Sequence, residues 1–295
     1  MKIIITGSLG HISKPLTIEL VRIGHTVTVI TSNPQRQKEM AALGASAAIG
    51  SIDDNNFLTK TFTGADAVYC MIPPNFAAPN QVAYYKEVGG NYAKAIEHSG
   101  VKRVVDLSSY GAHLEKGTGI IVGSYHVEHI LNGLPNVSVT HIRPGYFYYN
   151  LLHFVPMIKA AGFIASNFGG DDTLAMAAPN DIAKAIAEEI VKPFSENKVR
   201  YVVSDDKTCN EVATILGREI GMPDLQWKIF ADEQVQTAME KNGMSAATAA
   251  TLVELGAATH KGLLREDYDA NRPTQMGEIK VEDFAKEFAA VYNQQ

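Results

Sequence analysis

The chain has 295 residues, 46% hydrophobic and 20% charged, so it can bury a large core in one or two domains. Its formal net charge of -6, without any cluster of Lys and Arg, excludes a general nucleic-acid-binding protein, because phosphate contacts need concentrated positive charge. No apolar run reaches the length of a membrane span or a signal-peptide core, and the two isolated cysteines favour a reducing compartment. We therefore expect a cytoplasmic protein with no membrane partner.

The first predicted element is a short apolar strand over residues 3–6 that ends in a turn with two glycines. Gly7 and Gly10 are three residues apart, and an amphipathic helix is predicted from residue 16. Strand, tight turn and helix together form the element that holds a dinucleotide pyrophosphate, since the helix start offers unpaired N–H groups. Ser13 stands where a third glycine is usual. The cofactor contacts predicted here are Gly7, Leu9, Gly10, His11 and Ile12. An ordinary strand–helix turn is the alternative.

The rest of the first half alternates strands with helices, which predicts a doubly wound parallel α/β sheet of the Rossmann type. Further strands are predicted over residues 27–31, 45–50, 67–72, 104–107 and 137–142. Helices are predicted over residues 16–23, 35–43, 56–62, 81–99 and 124–131. Ligands of such sheets bind at the carboxyl ends of the strands.

After residue 150 the alternation stops, which predicts a smaller lobe over residues 151–295. Helices and loop are expected over 151–167, a helix over 181–191 and a strand over 199–203. We expect the segment 181–204 to return to the sheet of the first domain, residues 1–150. From residue 211 onward the pattern is mostly helical, so we expect a helical substrate lobe beside the cofactor cleft.

The end of the second strand indicates which nicotinamide cofactor is preferred. An NAD site usually has Asp or Glu there to bind the adenosine ribose, but Thr31, Ser32, Asn33 and Pro34 follow in this chain. A hydroxyl, an amide and the nearby cations Arg36 and Lys38 accommodate a 2′-phosphate, which a carboxylate would repel. We predict NADP(H) over NAD(H), with Ser32, Asn33, Arg36 and Lys38 as contacts. The alternative is that both cations are solvated residues of a helix surface.

Three motifs in matching order carry a family resemblance. They are Gly7-x-x-Gly10-x-x-Ser13, Ser108-Ser109-x-Gly111, and Arg143-Pro144-Gly145-x-Phe147-x-x-Asn150. With the C-terminal segments around residues 210–213 and 282–285, the chain resembles the NmrA-like branch of the extended or atypical short-chain dehydrogenase/reductase superfamily. The resemblance implies a Rossmann fold and NAD(P) binding. It implies either a reductase, as in the quinone reductases of this branch, or a non-catalytic NAD(P) sensor.

That superfamily usually has a Tyr-x-x-x-Lys helix, whose lysine lowers the pKa of a proton-donating tyrosine. The matching positions here are Tyr125 and His129, which share a helix face, and they are our catalytic candidates. A histidine that is only partly charged at neutral pH polarises the tyrosine less than a lysine does. Packing of Tyr125 at a helix start is the alternative. A metal site and a Ser–His–acid hydrolase are rejected, because a third ligand cluster and a Gly-x-Ser-x-Gly turn are both missing from the sequence.

The ends of the fourth, fifth and sixth strands are expected to converge near the nicotinamide ring. Further cofactor contacts are predicted at Ile72, Pro73, Ser108, Pro144 and Tyr146. Substrate contacts are predicted at Asn75, Phe76, Tyr110 and Phe147. The aromatic run over residues 146–149 suits a flat acceptor such as a quinone, or it fills the junction between the lobes.

The sequence thus predicts an NADP-preferring oxidoreductase that passes a hydride to a small planar electrophile. Positioning beside the nicotinamide would supply most of the rate. The alternative is a non-catalytic NADP(H) sensor that presents a surface to a protein partner when its lobes move.

Overall fold

Residues 1–294 are described by a computed structural model of the chain, and these residues form twelve strands and twelve α-helices. The strands are β1 (Lys2–Ile5), β2 (Thr26–Thr31), β3 (Ser46–Ile49), β4 (Ala67–Cys70), β5 (Arg103–Leu107), β6 (Ser138–Pro144), β7 (Tyr146–Phe147), β8 (Ile164–Ser166), β9 (Thr173–Ala177), β10 (Lys198–Val202), β11 (Asp205–Thr208) and β12 (Trp227–Ile229). The helices are α1 (Ser13–Arg22), α2 (Gln37–Ala42), α3 (Asn55–Phe62), α4 (Gln81–Ser99), α5 (Ile121–Asn132), α6 (Val155–Ala161), α7 (Pro179–Ile190), α8 (Cys209–Glu219), α9 (Asp232–Lys241), α10 (Ala246–His260), α11 (Glu266–Ala270) and α12 (Val281–Gln294).

Seven strands form one parallel sheet in the order β10–β6–β5–β4–β1–β2–β3. Helices α1 and α7 cover one face, and α3, α4 and α5 cover the other. Because both faces are covered, β4 and β6 are buried along their whole length. The predicted doubly wound α/β fold is confirmed. The strand order reverses between β1 and β4, which is where sheets of this kind form a ligand crevice.

Local sequence signals explain how the helices around this crevice begin and end. The side chain of Asn80 accepts a hydrogen bond of 2.9 Å from the N–H of Ala83 and so caps the start of α4. Gly100, with φ +78°, ends α4 in the left-handed conformation. The helix predicted over residues 35–43 is divided, because Asn33 caps a 3₁₀ turn over Pro34–Arg36 before α2 begins.

The remaining elements form a second core with two small sheets. One sheet has the order β11–β9–β7, and the other pairs β12 with β8. Tyr148, Trp227 and Phe288 are among the large side chains of this core. The lobe is mostly helical, as predicted, but β8, β9, β11 and β12 were not predicted. Strands of three to five residues are too short for a clear alternating pattern, and their partners lie far away in sequence.

No helix within residues 1–294 combines the length and apolar character that crossing a bilayer requires.

Candidate functional site

The turn between β1 and α1 has one glycine that shapes the backbone and one that leaves space outside it. Gly7 has φ +84°, and a Cβ atom there would lie 2.7 Å from Cγ and Sδ of Met71. A Cβ atom on Gly10 would meet only the carbonyl oxygen of Gly7, at 3.2 Å. Gly7 is therefore required by the turn itself, while the outer side of Gly10 is open to a ligand.

Ser13 explains how the chain manages without a third glycine. Its hydroxyl donates a 3.0 Å hydrogen bond to the carbonyl of Thr6, and its side chain is buried. The first turn of α1 is thereby tied to the end of β1, which is the close packing that a glycine allows elsewhere. The backbone N–H groups of His11 and Ile12 donate to no backbone carbonyl within residues 1–294. A helix start with unpaired donors and an open glycine fits a dinucleotide pyrophosphate.

The other predicted residues of this turn divide into core and surface. The side chains of Leu9 and Ile12 are buried in the core shared with α1 and α7, so only their backbone groups can face a ligand. The His11 side chain is exposed, and its ring stacks on that of Tyr149 with a centroid distance of 4.4 Å and an interplanar angle of 18°.

At the end of β2 the structure brings Arg36 to the glycine turn. Nη1 of Arg36 donates to the hydroxyl of Ser8 at 3.3 Å, and that hydroxyl donates to Oγ1 of Thr31 at 3.0 Å. The Asn33 side chain is engaged with its own turn, where Oδ1 accepts from the N–H of Gln35 at 2.9 Å. Ser32 and Lys38 are exposed. The positive charge of Arg36 therefore lies beside the glycine turn.

Beyond the end of β4, the predicted substrate residues lie on an exposed loop. Asn75 Oδ1 accepts from the N–H of Ala77 at 3.2 Å, and Phe76 is 53% exposed. Ile72 is buried, whereas Pro73 is exposed. The carbonyl of Ile72 accepts a 3.4 Å hydrogen bond from the phenol of Tyr85 on α4.

Beyond the end of β5, two predicted contacts point into the protein instead of the crevice. The Ser108 hydroxyl donates to Oε1 of Glu128 at 2.5 Å, and both side chains are buried. Tyr110 is 5% exposed and packs with Tyr201 and Tyr268 in a core between the two parts of the chain. The structure therefore places Ser108 and Tyr110 in interior contacts, because polar and aromatic partners from distant segments are available there.

Glu128 is also the centre of a buried charge cluster that the sequence did not predict. Arg143 donates from Nε and Nη2 to the two oxygens of Glu128, at 2.9 and 2.6 Å. Nη1 of Arg143 reaches Asp267 at 3.0 Å and the Tyr201 phenol at 3.2 Å. Burial favours the neutral form of Arg143, but the bonds to Glu128 outweigh it and raise the pKa of the guanidinium. Two features of the sequence could have indicated this cluster. Arg143 is a single Arg at the end of an apolar strand, and Glu128 is a single Glu among apolar helix residues.

Helix α5 turns Tyr125 and His129 away from this cluster. The residues of α5 buried toward the rest of the protein include Ser124 and Glu128, which are also spaced i,i+4. Tyr125 is only partly buried, and its ring packs on those of His129 and His126, at centroid distances of 4.0 and 5.3 Å. His129 is exposed, and its Nδ1 lies 2.8 Å from the Tyr125 carbonyl oxygen. The two candidates share a face as expected, but the inward i,i+4 pair is Ser124 and Glu128.

The aromatic residues after β6 divide between the second core and the crevice. Tyr148 is buried and donates from its phenol to the carbonyl of Ile279 at 3.1 Å, and Tyr146 packs edge-on against Phe168. Pro144, a predicted cofactor contact, is a buried residue of β6.

Phe147 stacks on Tyr149 with a centroid distance of 5.1 Å and an angle of 28°. Phe147, Tyr149 and His11 thus form an aromatic stack between the end of β6 and the glycine turn.

Comparison with known proteins identifies the family of this chain. The sequence model of the NmrA-like family matches residues 1–259. The chain belongs to the NmrA-like family. The resemblance inferred from the three motifs is therefore confirmed. No match was found among curated proteins.

Solved structures similar to this NmrA-like chain include reductases and an epimerase. The NADPH-dependent quinone oxidoreductase QOR2 from Escherichia coli, complexed with NADPH, is 20% identical over 97% of this chain and 99% of that chain, with a TM-score of 0.82. The triphenylmethane reductase from Citrobacter sp., complexed with NADP(H), is 18% identical over 98% and 100%, with a TM-score of 0.79. A nucleoside-diphosphate-sugar epimerase from Staphylococcus aureus is 18% identical over 97% and 100%, also with a TM-score of 0.79. At these identities the likeness shows a shared fold.

The crevice of this NmrA-like protein combines three chemical features. Unpaired N–H groups and Gly10 offer a place for an anion, and Arg36 adds a cation beside it. The stack of Phe147, Tyr149 and His11 adds a flat aromatic surface at the same edge of the sheet. This arrangement can hold an anionic group beside a planar group.

Proposed function

We propose that the chain is an NADPH-dependent oxidoreductase that reduces a small planar acceptor such as a quinone. The observation that carries the proposal is the aromatic stack, because Tyr149 joins the end of β6 to His11 in the glycine turn. A planar acceptor placed on such a surface lies at the strand ends, where the nicotinamide of a Rossmann cofactor is expected.

The cofactor preference rests on the charge beside the glycine turn. Residues 31–38 contain no carboxylate, and Arg36 contacts Ser8. A 2′-phosphate would bind here through Arg36, while Ser32 and Asn33 would line its outer side. When bound, NADPH supplies the hydride, and the chain supplies binding, orientation and exclusion of water.

The similar solved structures support the proposal of an NADPH-dependent reductase but do not identify its substrate. A quinone reductase and a triphenylmethane reductase, both solved with NADPH or NADP(H), have this fold. We propose that residues 1–150, with the returning segment 181–204, hold the cofactor and that the remaining residues cover the acceptor. The buried free thiols of Cys70 and Cys209 support a cytoplasmic setting.

A second candidate function is a non-catalytic NADP(H) sensor that acts on a protein partner. It is favoured by His129, which stands where the superfamily usually has a lysine and is exposed, while the Tyr125 ring packs against it. Such a protein would bind NADPH and change the relation of its lobes without turnover.

NADPH oxidation by the purified chain separates the two functions. We expect NADPH consumption with at least one quinone of a panel that ranges from benzoquinones to naphthoquinones. The controls are the Gly10→Val variant and reactions without acceptor. If no acceptor raises NADPH oxidation above the rate in buffer, the enzyme proposal is overturned. Capture of a partner only when NADPH is present would then support the sensor.

A further inference from the structure

Tyr149 connects the end of β6 to the glycine turn, on the open side of the crevice. It follows β6, yet its ring stacks on His11 in the turn after β1, at a centroid distance of 4.4 Å. In the sheet, β5 and β4 lie between β6 and β1. Three spacings between neighbouring strands amount to roughly 14 Å. The segment around Tyr149 therefore passes over the ends of β5 and β4, where an acceptor beside a bound nicotinamide would lie.

The ring of Tyr149 is held, but its phenol is not. Two near-parallel neighbours, His11 and Phe147, fix the plane of the ring. The phenols of Tyr85 and Tyr148 donate to backbone carbonyls, whereas no group within residues 1–294 hydrogen-bonds to the phenol of Tyr149. A positioned donor without a protein partner is available to a ligand.

The surroundings keep this phenol protonated at neutral pH. Burial raises the pKa of Tyr149, and the nearby phenol of Tyr85 raises it further. Tyr85 donates to the carbonyl of Ile72, which lies just beyond β4. Tyr85 and the stacked ring of Tyr149 thus belong to the same edge of the sheet, at the ends of β4 and β6.

We propose that Tyr149 is a catalytic residue that donates its phenolic proton to the carbonyl oxygen of the bound acceptor. This inference rests on the proposed function. As one quinone oxygen takes up the hydride with its two electrons, NADPH becomes NADP⁺ and negative charge develops on the other quinone oxygen. The O–H bond of Tyr149 breaks, and a new O–H bond forms on that oxygen to give the hydroquinone. The tyrosinate recovers a proton from water.

The test compares Tyr149→Phe, which keeps the stacked ring, with Tyr84→Phe, a control on α4. We expect Tyr149→Phe to lower kcat by about 10²-fold or more, with a loss that grows as the quinone oxygen becomes more basic. Its Kd for NADPH should stay within about twofold, since the ring is retained. In calorimetry with menadione and no cofactor, the variant should bind about fivefold more weakly, the worth of one neutral hydrogen bond. Tyr84→Phe should leave all three quantities within about twofold.

The outcomes separate this inference from the proposed function. If the parent reduces quinones but Tyr149→Phe keeps kcat within threefold, roughly the resolution of such a comparison, the inference is overturned and the function stands. A parent without activity overturns both. Should Tyr149→Phe fold poorly, 2,3,5,6-tetrafluorotyrosine at position 149 keeps the ring and lowers the phenol pKa far enough for the group to titrate in the measurable range. The variant must then show an alkaline loss of kcat that the parent lacks, and a profile without that loss overturns the inference.

Discussion

Arg143 and Glu128 form a buried ion pair in which Nε and Nη2 of the guanidinium meet both oxygens of the carboxylate, at 2.9 and 2.6 Å. The pair joins the end of β6 to α5, and Asp267 extends it to the C-terminal part of the chain. Both side chains are 8% exposed or less. Charges so far removed from water depend on each other, because neither can regain its hydration in the folded protein.

We predict that Glu128→Gln lowers the free energy of unfolding by about 3–5 kcal/mol, since it leaves a buried cation with a neutral partner. Urea unfolding monitored by circular dichroism measures the change. The control is Glu188→Gln, which breaks an exposed pair with Arg200 and should cost less than about 1 kcal/mol. Equal losses in the two variants would show that the buried pair contributes no more than a surface pair.

Gly10→Val is expected to abolish NADPH binding while the fold persists. The added branches enter the open space outside the turn, and the Cβ meets only the Gly7 carbonyl oxygen, so stability should fall by only about 1 kcal/mol. Gly7→Val is the contrast: its positive φ and the close Met71 side chain predict a loss of more than about 2 kcal/mol. Fluorescence titration and thermal unfolding measure the two effects. A folded Gly10→Val protein that binds NADPH as the parent does would refute the pyrophosphate site.

Arg36→Ala should weaken NADPH binding by about tenfold or more, because a charge-assisted contact with the 2′-phosphate is lost. NADH binding should change by less than about twofold, since NADH has no such phosphate. Lys38→Ala is the matched control, because Lys38 is exposed on α2 and Arg36 alone of the two contacts Ser8. Ser32→Asp should erase or reverse the preference for NADPH. A parent that binds both cofactors equally would contradict the assignment.

Tyr125→Phe should cost less than tenfold in turnover, well below the ~10²–10⁴-fold worth of a positioned general acid. The reason is placement, since its ring packs on His126 and His129 on the outer side of α5. Steady-state kinetics with the best quinone of the panel provides the measurement. A loss of a hundredfold or so would show that α5 turns its outer face to the substrate.

Acid stability should depend on Glu189, a buried residue of α7. Burial raises its pKa, but hydrogen bonds from Lys192 and Lys198 outweigh burial and lower the pKa from 4.5 to about 2. Because folding lowers this pKa, the stabilisation is complete above pH 4.5 and is lost as the pH falls toward 2. We expect unfolding free energies of the parent to fall steeply across this range and those of Glu189→Gln to fall less. Parallel curves for the two proteins would contradict the prediction.

The first six strands and their alternation with helices were predictable because Gly, Pro or polar residues end each apolar run. The short strands of the second lobe were not. β8 and β12 have three residues each, and their pairing joins Ile164 to Trp227. No pattern of neighbouring residues in the sequence could therefore indicate this pairing. Pairing of this kind is decided by packing between segments distant in sequence.

For the candidate site, the i,i+4 spacing in the sequence predicted which residues share a helix face. It did not predict whether that face is directed toward the rest of the protein or away from it. Tyr125 and His129 follow each other by one turn, but the rotation of α5 is determined by its contacts with α4. A Cβ atom on Gly123 would lie 2.7 Å from Tyr85, and one on Gly89 would lie 3.0 Å from Val127. These close approaches direct Gly123 and Val127 toward α4. Tyr125 is consequently directed outward, a result that requires knowledge of both helices.

The order of the main sheet also has a consequence for synthesis on the ribosome. β10 pairs with β6 over residues 198–202, and all seven residues of β6 are buried. A nascent chain that has reached residue 150 already contains every motif of the crevice, but one edge of β6 has no neighbour until residue 202 emerges. An unpaired apolar edge attracts other chains. The N-terminal half expressed alone is therefore expected to aggregate, although it carries the glycine turn and Arg36, the residues proposed to bind the nucleotide phosphates.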